Sequence, residues 1–95
     1  MIARLDHKVP GGKLLRVEVE FEGGSILRVR VAGDFFAHPE ASFEAAEAEL
    51  GGVPTDRLAE AALGAFSRPG LVIYGASAAD IAATLGRALH EAQVS

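Results

Sequence analysis

Positions 14–22 alternate along the chain. Leu15, Val17, Val19 and Phe21 fall on one side of an extended backbone, and Arg16, Glu18, Glu20 and Glu22 fall on the other. A period of two with β-branched residues on the apolar side predicts a half-buried strand. Gly23-Gly24-Ser25 then turns the chain, and Leu27, Val29 and Val31 alternate with Arg28 and Arg30. Residues 13–32 are therefore expected to form an antiparallel β-hairpin. Two registers compete. A two-residue Gly-Gly loop pairs Phe21 with Ile26 and Glu20 with Leu27, which sets polar residues against apolar ones. A three-residue loop over 23–25 pairs Phe21 with Leu27 and Val19 with Val29 inside, and Glu20 with Arg28 and Glu18 with Arg30 outside. A one-residue slip flips every side chain, and opposite charges across a pair add about 0.2–1 kcal/mol each. The three-residue loop is the expectation, with a glycine or Ser25 left-handed.

Before the hairpin, residues 1–10 are mixed, and Gly11-Gly12 break the chain after Pro10. An extended arm with at most a short strand is expected there. After it, three helical stretches are predicted. The first covers 39–50, with Pro39 and Glu40 at its start, Gly51 as a left-handed stop and Phe43, Ala46 and Leu50 as its apolar stripe. The second covers 56–67 behind Thr55 as N-cap, with Leu58, Ala62 and Phe66 inward and Pro69-Gly70 ending it. Leu71-Val72-Ile73-Tyr74 reads as a short strand. Ser77-Ala78-Ala79-Asp80 resembles a capping box for a last helix over 78–92, burying Ile81, Leu85, Ala88 and Leu89. The fold class is α+β: a small antiparallel sheet built on the hairpin and packed against about three helices, as a single domain over 1–95.

Composition narrows the function classes. With 95 residues, one modest core is available, and a core plus a deep catalytic cleft is not expected. The nine Lys and Arg residues are scattered and the formal charge is −4, which counts against nucleic acid. Without cysteine there is no disulfide, thiolate zinc site or thiol nucleophile. No apolar run approaches a bilayer span and no signal-peptide core is present, so no membrane association and a cytoplasmic location are expected.

Gly11-Gly12-Lys13 lacks the full phosphate-loop spacing and leads into a strand, where helix-terminal amides are missing; a turn is the better reading. His7, His38 and His90 stand in no metal-binding spacing and read as surface or loop residues. Ser77 is explained by capping, and Glu40, Glu44, Glu47 and Glu49 by the solvated face of a helix. Gly33-Asp34-Phe35-Phe36 is different, because the alternation stops there. Neighbouring residues on an extended chain point to opposite faces, so one phenylalanine docks inward while the other covers a helix or a partner. Asp34 suits a turn.

Together, the stretch His7-Lys8-Val9-Pro10-Gly11-Gly12-Lys13-Leu14-Leu15-Arg16-Val17, the hairpin and Gly33-Asp34-Phe35-Phe36 resemble the accessory, C-terminal domain of lipoate–protein ligases. The likeness continues through Leu50-Gly51 and Ile73-Tyr74-Gly75-Ala76-Ser77-Ala78-Ala79-Asp80-Ile81 and covers nearly the whole chain. In that family the domain is fused behind a catalytic domain or stands as a separate small subunit. A start at Met1 fits the separate form. The resemblance implies a non-catalytic accessory subunit that forms a heterodimer with the catalytic ligase subunit. It is needed for ATP-dependent activation of lipoate to lipoyl-adenylate and much less for transfer to lipoyl carrier proteins. Lipoate, ATP and Mg are implied for the complex, with no cofactor held by this chain alone. No catalytic or metal-binding residue is assigned. Gly11, Gly12, Lys13, Gly33, Asp34, Phe35 and Phe36 are candidates for the partner interface or active-site edge. The rival readings are an independent small-molecule or acyl-adenylate binding module, and a stand-alone enzyme using Asp34 or a histidine.

Overall fold

The computed structural model describes residues 1–94. Strands β1 (Ile2–Lys8), β2 (Leu14–Glu22) and β3 (Ser25–Gly33) form an antiparallel sheet in that order, with β2 central. Strand β4 (Phe36–His38) leads to helix α1 (Glu40–Glu49), a 3₁₀ turn (Thr55–Arg57) and helix α2 (Leu58–Phe66). Strand β5 (Val72–Tyr74) pairs with β4 as a separate two-stranded ribbon, and helix α3 (Ala78–Val94) closes the chain. This is the expected α+β class.

Alternation on β2 works as predicted. Leu15, Val17, Val19 and Phe21 are buried against the helices, joined by Ala3 from β1 and by Ile26, Val29 and Val31 from β3. The helices contribute Phe43, Ala46 and Leu50, then Leu58, Ala62 and Phe66, then Ile81, Leu85, Ala88 and Leu89. Each large side chain of this kind contributes about 1.5–3 kcal/mol when fully buried.

The hairpin register corrects the expectation in one place. Glu18 faces Arg30, Val19 faces Val29 and Glu20 faces Arg28 as argued, but Phe21 faces Ile26 and Glu22 faces Ser25. The loop is therefore Gly23-Gly24, with φ of 58° and 82°. Two successive left-handed residues match the twist of the flanking strands, and glycine adopts them at least cost. A bulge beside Glu20 and Phe21 absorbs the conflict between the two registers. Its extra residue is Leu27, expected inside, which is 50% exposed, while Ile26 is fully buried. The backbone of Ile26 is held from the other side: its N–H donates to the Val53 carbonyl at 2.8 Å, and Gly52 N–H donates to its carbonyl at 2.7 Å.

Other boundaries also move. The amino-terminal arm is a full seven-residue strand, with Ala3 opposite Val19 and Leu5 opposite Val17. With β1 present, Glu18 lies between two arginines and forms its ion pair with Arg4 at 2.9 Å, not with Arg30. Pro39 precedes α1 in extended conformation, and the left-handed residue after α1 is Gly52 (φ 89°), not Gly51. Thr55 opens the 3₁₀ turn and makes no side-chain cap. The capping box of α3 forms as predicted: Ser77 N–H donates to Asp80 Oδ2 at 2.9 Å and Asp80 N–H donates to Ser77 Oγ at 3.0 Å.

The bulge makes adjacent apolar residues unequal. Ile26→Ala is expected to cost about 2–5 kcal/mol in urea unfolding, and Leu27→Ala under about 1 kcal/mol. Equal costs would contradict this register.

Candidate functional site

The segment after β3 is set by a close backbone approach. Gly33 has φ of 150°, and a Cβ there would stand 2.0 Å from the Leu14 carbonyl oxygen. Only glycine fits. Asp34 then closes a two-point link to β2: its Oδ1 accepts from Leu14 N–H at 2.7 Å, and its own N–H donates to the Leu14 carbonyl at 3.3 Å. Asp34 is thus a long-range backbone clamp between the exit of β3 and the start of β2, rather than the local turn cap expected from the sequence.

This clamp brings the candidate residues together. Gly11 and Gly12 form the β1–β2 connection, closed by Val9 N–H donating to the Lys13 carbonyl at 2.8 Å and Gly12 N–H donating to the Val9 carbonyl at 3.0 Å. The Gly12 amide is thus used inside the turn rather than offered to an anion. Lys13 carries its side chain across Gly75, where a Cβ would meet Lys13 Cγ at 2.6 Å. Gly11-Gly12-Lys13, Gly33-Asp34 and the segment after β5 therefore share one end of the molecule. Gly75 carries no sequence signal for this role beyond its place after the apolar run Leu71-Val72-Ile73-Tyr74.

Phe35 and Phe36 separate as expected. Phe35 turns inward, with its ring centroid 5.4 Å from that of Phe43, which lies 5.0 Å from that of Phe66. Phe36 begins β4 and points outward. Strand β4 pairs with β5 so that Phe36 faces Tyr74, Ala37 faces Ile73 and His38 faces Val72. Ala37 and Ile73 pack on the core. The opposite face presents Phe36 at 66% exposure, Tyr74 at 60% and Val72 at 46%, with His38 beside them. Phe36 and Tyr74 touch, with ring centroids 6.4 Å apart. Tyr74, Val72 and His38 were not among the candidates. Three-residue strands carry no measurable period, so their pairing left no signal.

Beside the ribbon runs an open groove of about 490 Å³. Val31, Phe35, Phe36 and Phe43 give it apolar walls, and Glu40, Glu44 and Glu47 line its α1 side. These carboxylates are not a uniformly solvated face. Glu47 is half-buried and accepts a hydrogen bond from Val31 N–H at 2.7 Å, on the open edge of β3. Glu49 pairs with Arg68 beyond α2. Burial holds the Glu47 carboxyl above the usual carboxylate range, and Glu44 adds to this; the Val31 amide, Arg30 and Arg28 act the other way.

His7, His38 and His90 lie on β1, β4 and α3 and are not gathered. Among the described residues, no group of three or more His, Cys, Asp or Glu side chains could hold a metal ion. No helix among them is long and apolar enough to cross a membrane.

No protein-family model and no curated protein matches the chain. Among solved structures, the fold superposes on a chain from an archaeal lipoylation system of Thermoplasma acidophilum, described as a bi-partite lipoate protein ligase and its E2 lipoyl domain. The TM-score is 0.75 at 25% identity, over 90% of this chain and 94% of that one. The resemblance read from the sequence motifs is thus matched by a structural likeness over 90% of the chain.

Glu47 makes stability depend on pH. Its folded form binds the proton more tightly than the unfolded chain does. The contribution is therefore full at low pH and falls as pH rises through the region above the usual carboxylate range. Glu47→Gln keeps an acceptor for Val31 N–H and removes this titration. Thermal melts should show the variant gaining on the parent as pH rises from the usual carboxylate range towards neutrality. A difference that stays constant or reverses would refute the assignment.

Proposed function

We propose that this chain is the non-catalytic accessory subunit of a two-component lipoate–protein ligase. Its role is to let a separate catalytic subunit activate lipoate with ATP to lipoyl-adenylate, ahead of transfer to lipoyl carrier proteins. The observation that carries this reading is the near full-length likeness to a chain of a bi-partite lipoate protein ligase system. The motifs that first suggested the family meet at one end of the fold, where the Asp34–Leu14 link joins them. Gly11, Gly12, Lys13, Gly33, Asp34, Phe35 and Phe36 then act as partner interface or active-site edge. Within this group the glycines and Asp34 shape the backbone, Phe35 anchors it to the core, and Lys13 and Phe36 are the side chains left to face a partner.

In this reading ATP, Mg and lipoate bind the catalytic subunit, in the shared cytoplasmic complex. Adenylation requires charge-stabilising groups placed to within a fraction of an ångström, so a mobile active-site loop is costly. A rigid module that binds the closed form better than the open form shifts the partner towards closure without donating a reacting group. The rival module that binds acyl-adenylate on its own meets a physical objection. The groove wall carries Glu40, Glu44 and Glu47, which repel a carboxylate or an adenylate phosphate.

Pyrophosphate release by the catalytic subunit, measured with lipoate and ATP, should rise at least about tenfold when this chain is added. Transfer from preformed lipoyl-adenylate should change much less. Equal release with and without the chain would sink the proposal.

A further inference from the structure

The ribbon face is built so that it cannot hide its own aromatic residues. Ala37 and Ile73 pack on the core from the other side, and the Asp34–Leu14 link fixes where β4 begins. Phe36 and Tyr74 therefore remain in water, adjacent to Val72. Exposed apolar side chains are ordinary when scattered, but two touching aromatics and a valine on one small sheet form a patch that a partner would cover.

The groove beside Phe36 states what kind of partner fits. Its α1 side is acidic; His38 lines it from β4, and Arg28 and Arg30 stand on the other side of Glu44 and Glu47, outside the groove, so among the described residues no Lys or Arg enters it. Glu40 and Glu44 form no ion pair among the described residues, whereas Glu49 on the same helix is held by Arg68. A second copy of this chain would bring like acidic walls together about a two-fold axis, which is unfavourable. An occupant with an apolar side chain and a basic one satisfies both halves of the surface.

We infer that the Phe36–Tyr74–Val72 face and its acidic groove form the docking surface for the catalytic subunit. The occupant is a partner segment that places an apolar anchor against Phe36 and Tyr74 and at least one Lys or Arg beside Glu40 and Glu44. This rests on the accessory-subunit reading. Aromatic residues supply the hold, and the carboxylates supply orientation and a faster encounter at low salt.

The test is binding of the full chain to the purified catalytic ligase subunit of the same organism, by calorimetry and stopped-flow at low and high salt. Phe36→Ala and Tyr74→Ala should each weaken binding at least about tenfold. The double variant Glu40→Gln/Glu44→Gln should slow association and flatten its salt dependence. Leu63→Ala, an exposed apolar residue on α2, should bind as the parent does. Melting temperatures identify any variant that has lost its fold, and Phe36→Leu, which keeps bulk without the ring, supplies a second reading. If the parent binds and the ribbon and groove variants bind equally well, the docking surface is elsewhere and the accessory-subunit reading stands. If sedimentation shows a dimer of this chain that Phe36→Ala converts to monomer, the second copy is the occupant and the inference falls. If the parent shows no binding at all, the functional reading fails and this inference with it.

Discussion

The contact on which the arrangement depends is the pair of hydrogen bonds between Asp34 and Leu14. Asp34 is exposed, and each bond is worth about 0.5–1.5 kcal/mol, or somewhat more to a carboxylate. Its importance is geometric. The Leu14 carbonyl approaches so closely that position 33 admits no Cβ, and the chain leaves β3 in a single direction. That direction decides which phenylalanine enters the core. It also carries β4 to β5, from the far side of α1 and α2 in the sequence, and so creates a ribbon whose outer face is left exposed by the described residues.

The hairpin shows what alternation can and cannot establish. Pairing from Glu18 to Glu20 followed from charge and burial, and it is observed. The two candidate loops exclude one another only on an unbroken ladder, and the ladder here is broken. The structure combines the preferred two-residue turn with the register that sets Glu18 opposite Arg30 and Glu20 opposite Arg28 by expelling Leu27 at a bulge, although neither pair closes into an ion pair among the described residues. The gain is the burial of Ile26, whose backbone groups are met by the α1–α2 connection. That connection lies more than two dozen residues away, so no local pattern could announce it. β1 exceeds the short strand its sequence predicts for a related reason. Ile2 falls on the same side as Arg4 and Asp6, which spoils the period, yet the strand forms because β2 offers a complete edge. The helices were legible because their apolar stripes are local. Their start and stop residues shifted by one or two positions, as helix ends commonly do.

At the candidate site, what was readable was conflict rather than pattern. Two adjacent phenylalanines after a clean alternation cannot share a face, and the structure separates them into a core anchor and a surface ring. The partners of that ring were not readable. Tyr74 and Val72 belong to a three-residue strand, and three residues match any period. The role of Glu47 was hidden too, because on the helix alone it resembles Glu40 and Glu44. Only the unpaired edge of β3, brought alongside by tertiary packing, distinguishes it. An edge amide needs an acceptor, and a carboxylate also discourages another strand from adding there.

The same economy bears on how so small a chain would influence a larger enzyme. A subunit without a reacting group alters a rate only through its unequal affinity for two states of its partner. Such a subunit must itself be rigid, because freedom lost on docking subtracts from the discrimination it can impose. The ribbon meets that requirement by construction: Gly33 removes its alternative exits, Asp34 fixes its start, Ala37 and Ile73 hold its inner face, and the Lys13 stem lies across Gly75 at its end. Linkage then runs in both directions, since a subunit that favours the closed catalytic form is bound more tightly by that form to the same degree. On the proposed reading, lipoate and nucleotide would strengthen the heterodimer by the factor by which this chain strengthens their binding. The exposed aromatic face would be where that exchange of free energy takes place.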